Sequence, residues 1–102
     1  MTARVLVFAT IDEGDAEAFE KAYLEVTSKV KGTDGHIADE LLRSADDPSQ
    51  YILLSEWEST GAFLAWEDRP IHKQTTTPMR PYWEGHVERK LYSVAQTIKS
   101  RG

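Results

Sequence analysis

The chain contains no cysteine among its 102 residues, which excludes disulfides, thiolate metal sites and cysteine nucleophiles. It also has no apolar run approaching the ~18 residues that span a membrane. Acidic residues outnumber basic ones, with 17 Asp and Glu against 12 Lys and Arg, which gives a net charge of −5. Nucleic-acid binding needs a basic face that releases counterions. We therefore predict a single globular domain that binds neither nucleic acid nor membrane.

The sequence motifs of common cofactor and hydrolase sites are missing as well. There is no G-x-G-x-x-G, P-loop or G-x-S-x-G pattern, so nucleotide cofactors and serine hydrolysis have no support. The histidines, His36, His72 and His86, have neither H-x-x-x-H nor H-E-x-x-H spacing, which argues against a metal site. The segment MTARVLV leads directly into a strand pattern, so we expect no signal peptide and a cytoplasmic location.

Strand and helix patterns alternate along the whole chain. Runs rich in apolar and β-branched residues predict strands at 4–11, 36–44, 51–57 and 85–96. A helix is predicted over 16–31, with Gly32 as its left-handed end. Its apolar stripe consists of Phe19, Ala22, Tyr23, Val26 and Val30. A second, short helix follows the third strand, so the order β-α-β-β-α-β predicts a ferredoxin-like α+β fold with an antiparallel sheet.

The short helix after the third strand has clear sequence signals at both ends. Ser59 is a candidate N-cap, because its hydroxyl can accept a hydrogen bond from an early helix N–H. Phe63 and Trp66 follow at helical spacing and give the helix an aromatic face. The helix is expected to end before Pro70, whose ring pushes the preceding residue out of the α region. Residues 71–83 are predicted to be an irregular flap with one helical turn.

Three side chains around this helix are predicted to line a small pocket. A neutral imidazole with a pKa near 6.5 can accept a phenolic or enolic proton, which makes His72 the candidate base. The indole N–H of Trp57 is a candidate donor to a bound oxygen. Other interpretations stay open, with Trp57 and Trp66 as core residues and His72 as a surface residue. For His36 and His86 we expect solvent-exposed strand ends.

The strands also predict a homodimer. Residues 4–11 and 51–57 are apolar at both odd and even positions, as in strands that are covered on two faces. The helices of a ferredoxin-like unit cover one sheet face only. The sheet of a second copy is therefore expected to cover the other face, giving a dimeric α+β barrel.

One local pattern carries a resemblance to a known family. The run W-E-S-x-x-A-F-x-A-W from Trp57, followed by a proline and a histidine, resembles the antibiotic biosynthesis monooxygenase family, in register from about Val5 to Val94. That family consists of small dimeric α+β barrels and includes cofactor-independent oxygenases of aromatic polyketide pathways and haem-degrading enzymes. The resemblance supports substrate contact by Trp57 and Trp66 and a functional position for His72, the predicted catalytic residue. The full set of residues predicted to bind the substrate is Val7, Leu53, Trp57, Phe63, Trp66 and Tyr82. Tyr82 has a second interpretation, as a residue that fixes the flap at the dimer interface.

The chain departs from both branches of that family at polar positions. Haem-degrading members have an axial histidine about one helical turn beyond the matched tryptophan, where this chain has Gln-Thr-Thr at 74–76, and His72 comes too early. Both branches use an asparagine on the first or third strand. The corresponding residues here are Val7 and Leu53, and the chain contains no asparagine. We therefore expect no haem, no metal and no other cofactor.

An electron-rich phenolate or enolate can itself donate an electron to O₂, so an oxygenase needs only to bind the ring, deprotonate it and exclude water. We predict a cofactor-independent monooxygenase that acts on an aromatic, polyketide-like metabolite in secondary metabolism. One alternative is a cofactor-free cyclase or isomerase acting on a similar substrate. Another is a non-catalytic dimeric binding or accessory protein.

Overall fold

The computed structural model describes residues 1–83, 85 and 87–100. Within these residues, one antiparallel sheet has the strand order β2-β3-β1-β4. Its strands are β1 Ala3–Thr10, β2 His36–Arg43, β3 Gln50–Trp57 and β4 Val87–Ser93. The α-helices are α1 Ala16–Val30, α2 Thr60–Glu67, α3 Pro70–Thr76 and α4 Arg80–Trp83, with 3₁₀ turns at Glu13–Asp15 and Thr77–Met79. This is the ferredoxin-like α+β fold predicted above, and no described helix is both long and apolar enough to cross a bilayer.

The core lies between α1 and one face of the sheet. The predicted apolar stripe of α1 is buried throughout, and Phe19 is completely inaccessible. Phe19 packs edge-on against Tyr51 of β3, with ring centres 5.2 Å apart. Alternate residues of β1, including Val5 and Ala9, point to the same side and are buried. Burial of this stripe is the main source of helix stability, since propensity alone is a weak determinant.

The opposite sheet face carries the other set of strand residues. Leu6 pairs with Leu54, and Phe8 pairs with Ile52, at the centre of the sheet. All of these side chains remain partly exposed in the single chain. At the centre of the two middle strands, both faces are therefore apolar, as the sequence pattern predicted, while Arg4 and Glu56 form an ion pair toward one end of the open face.

Two helix-end signals were also predicted correctly. Gly32 adopts a left-handed conformation, with φ of 90°, directly after the Lys31 C-cap of α1. Ser59 caps α2, since its Oγ accepts a hydrogen bond from the backbone N–H of Ala62 at 3.0 Å. β4 is shorter than the predicted 85–96, and His86, for which an exposed strand end was predicted, lies outside the described residues.

The prediction of an irregular flap over 71–83 was wrong. Pro70 is the first residue of α3, a position where its missing N–H costs no helical hydrogen bond. Threonine has a low helix propensity, but here the threonine hydroxyls bond to the helical segment itself. The hydroxyl of Thr76 donates to the His72 carbonyl at 3.0 Å, and that of Thr77 donates to the Lys73 carbonyl at 2.7 Å. Met79 is buried in the core. The segment is thus a helical layer of the domain.

Candidate functional site

A cavity of about 240 Å³ lies between the helix-covered face of the sheet and the helices. Side chains from all four α-helices and all four strands contribute to its lining. The predicted site residues that line it are Val7, Leu53, Trp57, Phe63, Trp66 and His72. The segment from the end of β3 through α3 thus supplies four of these six residues, Trp57, Phe63, Trp66 and His72.

The aromatic wall of the cavity is built by the β3–α2 connection. Trp57 is the last residue of β3, and the Ser59 cap turns the chain so that α2 packs back over it. The ring centre of Trp57 lies 5.5 Å from Phe63 and 5.6 Å from Trp66. His72, on α3, stands edge-on to Trp66 with ring centres 4.5 Å apart. The predicted residues therefore form one contiguous cluster of rings.

Trp57 contributes to this wall with its apolar surface. It is only 1% exposed, and its indole N–H donates to the Ser55 hydroxyl at 3.0 Å. The hydrogen bond that was predicted to reach a ligand is therefore made within the chain. Trp66 is partly exposed, so it both packs against the core and faces the cavity.

His72 is half-buried at the lining, and its surroundings favour the neutral imidazole. Burial is the largest cause that lowers its pKa below the ordinary value of 6.5. The guanidinium groups of Arg80 and Arg89 lower the pKa further, whereas the Glu67 carboxylate opposes them. A neutral imidazole at pH 7 can accept a proton.

An ion pair that sequence reasoning missed borders the cavity beside His72. Arg89 of β4 donates two hydrogen bonds to Glu67 of α2, at 2.6 and 2.7 Å. These bonds lower the pKa of Glu67 and raise that of Arg89. The Arg89 guanidinium also lies over the Phe63 ring, 5.4 Å from its centre. The pair closes one side of the aromatic wall, and no sequence spacing links its two members.

Tyr82, predicted to bind the substrate, is not among the residues that line the cavity. It packs edge-on against Phe19, with ring centres 6.1 Å apart. Its neighbour Trp83 lines the cavity instead. Both residues belong to the helical turn α4, in which successive side chains point about 100° apart. One of the two can therefore face the cavity while the other joins the core.

The prediction that His36 is an exposed strand end was wrong. Its side chain is 6% exposed, its Nε2 lies 2.8 Å from Asp39 Oδ1, and its ring packs against Trp57 at 5.1 Å. Residues three apart in a regular strand face opposite sides. A register shift between His36 and Ala38 places His36 and Asp39 on the same side of β2. Such an irregularity has no clear sequence signal.

Metal or haem chemistry finds little support in the donor groups present. Within residues 1–83, 85 and 87–100, no three His, Asp or Glu side chains are grouped so that they could hold a metal ion. Drug-sized ligands occupy pockets of about 300–1,000 Å³, and a haem is a large ligand by that measure. The cavity volume of about 240 Å³ lies below that range.

Comparison with known proteins gives consistent matches in sequence and in fold. The chain matches the antibiotic biosynthesis monooxygenase family over residues 2–77. It is 32% identical over 98 residues to Protein SchA of Streptomyces halstedii, covering 96% of this chain and 26% of that protein. It is 36% identical over 76 residues to the 42.8 kDa protein in the whiE locus of Streptomyces coelicolor, covering 74% of this chain and 19% of that protein. The chain thus spans about a quarter or less of the length of these curated relatives.

Solved structures with low identity share the fold. A point mutant of SnoaB from Streptomyces nogalater, a cofactor-independent oxygenase, superposes with a TM-score of 0.81 at 22% identity, covering 95% of this chain and 96% of that one. Another antibiotic biosynthesis monooxygenase superposes with a TM-score of 0.74 at 14% identity, covering 92% and 99%. The family match over residues 2–77 establishes that the chain belongs to the antibiotic biosynthesis monooxygenase family.

Proposed function

We propose that this domain is a cofactor-independent monooxygenase that acts on an aromatic, polyketide-like metabolite. The observation that carries the proposal is the contact of Trp66 and His72, 4.5 Å between ring centres, in a mainly apolar cavity. The names of two relatives point the same way, since SnoaB is a cofactor-independent oxygenase and one curated relative belongs to the whiE locus.

The proposed reaction assigns one task to each part of the cavity. The aromatic wall of Trp57, Phe63 and Trp66 binds the substrate ring, and His72 accepts its phenolic or enolic proton. The resulting anion is the electron donor to O₂, so no external reductant is required. In the net reaction a ring CH₂ becomes C=O, one atom of O₂ is bound to carbon, and the other leaves as water with the two hydrogens. The protein holds the geometry and keeps bulk water out.

Cavity size limits the part of the substrate that is enclosed. A cavity of about 150 Å³ holds a benzene ring, and pockets for drug-sized ligands begin near 300 Å³. The volume of about 240 Å³ therefore suits roughly two fused rings. A larger polycyclic substrate would extend out of the cavity.

A cyclase or isomerase is the competing function, and one observation favours it. Val7 and Leu53 are cross-strand partners that line the cavity, at the positions where the family resemblance places asparagines. Their apolar side chains offer no hydrogen bond to O₂ or to a peroxide, whereas a proton-transfer reaction at His72 requires none. A non-catalytic accessory role would retain ligand binding alone.

We further propose that the domain is a homodimer joined through the open sheet face, where Leu6, Phe8, Ile52 and Leu54 are only partly buried. A partner sheet on that face would complete the barrel. In a chain of 102 residues, such an interface also increases the fraction of apolar surface that is buried.

Oxygen uptake in the presence of defined phenols tests the proposed reaction. Purified protein is assayed in an oxygen electrode with 1,8-dihydroxynaphthalene and with dithranol, and heat-denatured protein gives the rate of spontaneous oxidation. Saturable uptake with formation of a quinone is the expected result. Catalysed keto–enol interconversion of dithranol under nitrogen, with no oxygen uptake in air, would favour the isomerase instead. Tight binding without turnover of either probe would favour the accessory role.

A further inference from the structure

The hydroxyl group of Ser55 borders the cavity on its sheet side, and the proposed reaction does not use it. Ser55 lies on β3 two residues before Trp57, so both side chains point to the helix-covered face of the sheet. It pairs with Val5 of β1 and with Asp39 of β2, and all three residues line the cavity. Ser55 is partly exposed, and its side chain consists of one CH₂ and the hydroxyl. The sheet therefore presents a hydroxyl to the cavity.

Trp57 fixes the direction of this hydroxyl. The indole N–H donates to Ser55 Oγ at 3.0 Å, and the indole itself is held by the rings of Phe63 and Trp66. The lone pair of Oγ that faces the indole is thus occupied, so the Ser55 proton is directed elsewhere. Within the described part of the chain, this O–H donates to no residue. A hydroxyl that accepts one hydrogen bond is also polarised toward donating the next.

The other hydroxyl groups of the wall are already engaged or out of reach. Among the described residues, four with a hydroxyl line the cavity: Tyr23, Thr27, Ser55 and Thr76. The Thr27 hydroxyl donates to Asp39, and that of Thr76 donates to a backbone carbonyl of α3. The Tyr23 oxygen is buried and has almost no accessible surface. Asp39, the cross-strand partner of Ser55, is already bonded by Thr27, which leaves the Ser55 proton for a ligand.

An oriented donor without an acceptor selects a ligand that carries an acceptor oxygen. The carbonyl oxygen of a ring ketone fills this role, whereas a CH₂ group at the same place would leave the hydroxyl unpaired. A hydrogen bond to the carbonyl also makes the conjugated C–H bond more acidic. When His72 takes that proton, the electron pair of the C–H bond shifts toward the carbonyl oxygen, and Ser55 keeps its own proton. The keto and enol forms lose a proton to give the same anion.

We propose that Ser55 donates a hydrogen bond to a carbonyl oxygen of the ring substrate and that Trp57 is the positioning residue that orients the hydroxyl. The subsite rests on the cavity of the proposed function but not on the reaction with O₂. It narrows the substrate class to ring systems that bind in their keto form.

Matched two-ring ligands test the subsite without any turnover. Calorimetric titration compares 1-tetralone with tetralin, which lacks the carbonyl oxygen, in the wild type, Ser55→Ala and Ser28→Ala. Ser28 is the control, because it is exposed on α1 and its hydroxyl donates to the Glu25 carbonyl. The ratio of the two affinities removes any general effect on the cavity. We expect Ser55→Ala to weaken 1-tetralone about fivefold relative to tetralin, as one net hydrogen bond implies, and Ser28→Ala to leave the ratio unchanged.

The infrared carbonyl band of bound 1-tetralone reports the hydrogen bond directly. A hydrogen bond lowers the stretching frequency, so the band should lie lower in the wild type than in Ser55→Ala. Ser55→Thr keeps the hydroxyl and should keep the low frequency. Trp57→Phe keeps an aromatic ring but removes the N–H, so the band should move part of the way toward that of Ser55→Ala. A purely structural role for Ser55 would not move the band.

A stability measurement and one more variant guard against misfolding. Ser55→Ala leaves the buried indole N–H of Trp57 without its acceptor and should melt lower than the wild type. Ser55→Cys retains a weak acceptor for the indole but is a weak donor. It should therefore raise the carbonyl frequency in a folded protein even where the alanine variant does not fold.

The subsite would be overturned by equal affinity ratios in the wild type and Ser55→Ala, by the same carbonyl band in the wild type and Ser55→Cys, or by no binding of either ligand. The last result would remove the aromatic cavity as a binding site as well. A band that Trp57→Phe leaves in place would overturn the positioning role of Trp57. Failure of the proposed oxygenase reaction looks different, because the ketone preference and the band shift would remain while oxygen uptake is absent.

Discussion

The imidazole of His72 stands perpendicular to the indole of Trp66, with ring centres 4.5 Å apart and planes at 89°. This contact joins the end of α2 to the first turn of α3. Arg69 between them is extended, and Pro70 then starts the new helix, so the chain turns back toward Trp66. The candidate base is thus fixed by a helix and by an aromatic side chain.

Replacing His72 with alanine should lower turnover by about two to four orders of magnitude, the usual contribution of a general base. The fold should persist, because alanine is the best helix former and His72 is not a core residue. Gln74→Ala is the matched control, since Gln74 is exposed on the same helix. Steady-state oxygen uptake and thermal melting measure the two effects. Full turnover by the His72 variant would assign the proton transfer elsewhere.

Acidification should destabilise the protein through His72. Burial lowers the pKa of this imidazole in the folded state below the 6.5 of an ordinary histidine. At a pH between those two pKa values, the unfolded chain binds more protons than the folded chain. The stabilisation that depends on the neutral imidazole is therefore complete above pH 6.5 and is lost as the pH falls below 6.5. Urea unfolding at pH 7.5, 6.5 and 5.5 should show a shallower decline for His72→Gln than for the wild type. Equal declines would mean that the imidazole is solvated like a free one.

Two left-handed glycines allow backbone strain to be separated from close packing. Gly32 and Gly35 have φ of 90° and 85°, but a Cβ on Gly32 meets nothing within 4 Å, while one on Gly35 lies 2.5 Å from the Cβ of Ala62. Gly32→Ala should cost about 1–2 kcal/mol of stability for its conformation alone. Gly35→Ala should cost about 1–3 kcal/mol more, because α2 must move. Similar losses of unfolding free energy for both variants in urea titrations would show that α2 can move at little energetic cost.

The two tryptophans of the cavity should differ in their contribution to stability. Trp57 is 1% exposed and contacts three other rings, so Trp57→Ala should cost about 4 kcal/mol. Trp66 is only partly buried, and its loss should cost about 3 kcal/mol. Leu24→Ala, at a residue that is 64% exposed, is the control and should stay within about 0.5 kcal/mol. Denaturant midpoints rank the three variants, and a larger loss at Trp66 would reverse the assignment of core and cavity roles.

The parts of the fold that sequence predicted well were those with local signals. The α1 stripe has helical spacing, Ser59 is a capping residue, and the run from Trp57 to Trp66 carries the family pattern. Each of these signals lies within a short stretch, so neighbouring residues suffice to identify it. The convergence of Trp57, Trp66 and His72 followed from this one stretch.

The parts that sequence missed depend on residues far apart or on irregular backbone. The register shift in β2 buries His36 beside Asp39, and no composition signal marks it. Glu67 meets Arg89 only because α2 packs on β4. Helix α3 was not predicted because of its threonines, whose hydroxyls donate to carbonyls of the same helical segment. Functional residues of these kinds can be identified only from the three-dimensional structure.

The proposed homodimer can be tested by introducing a charge on the open sheet face. Leu6 lies at the centre of that face, where it pairs with Leu54 and Lys90, and remains partly exposed in the single chain. Light scattering at micromolar concentration should give twice 11.6 kDa for the wild type. Leu6→Asp should shift the mass toward that of one chain, because two carboxylates would be desolvated at the interface. Leu64→Asp makes the same chemical change at a 45% exposed position on α2 and should remain dimeric. A monomeric wild type, or a Leu6 variant as dimeric as the Leu64 variant, would rule out association through this face.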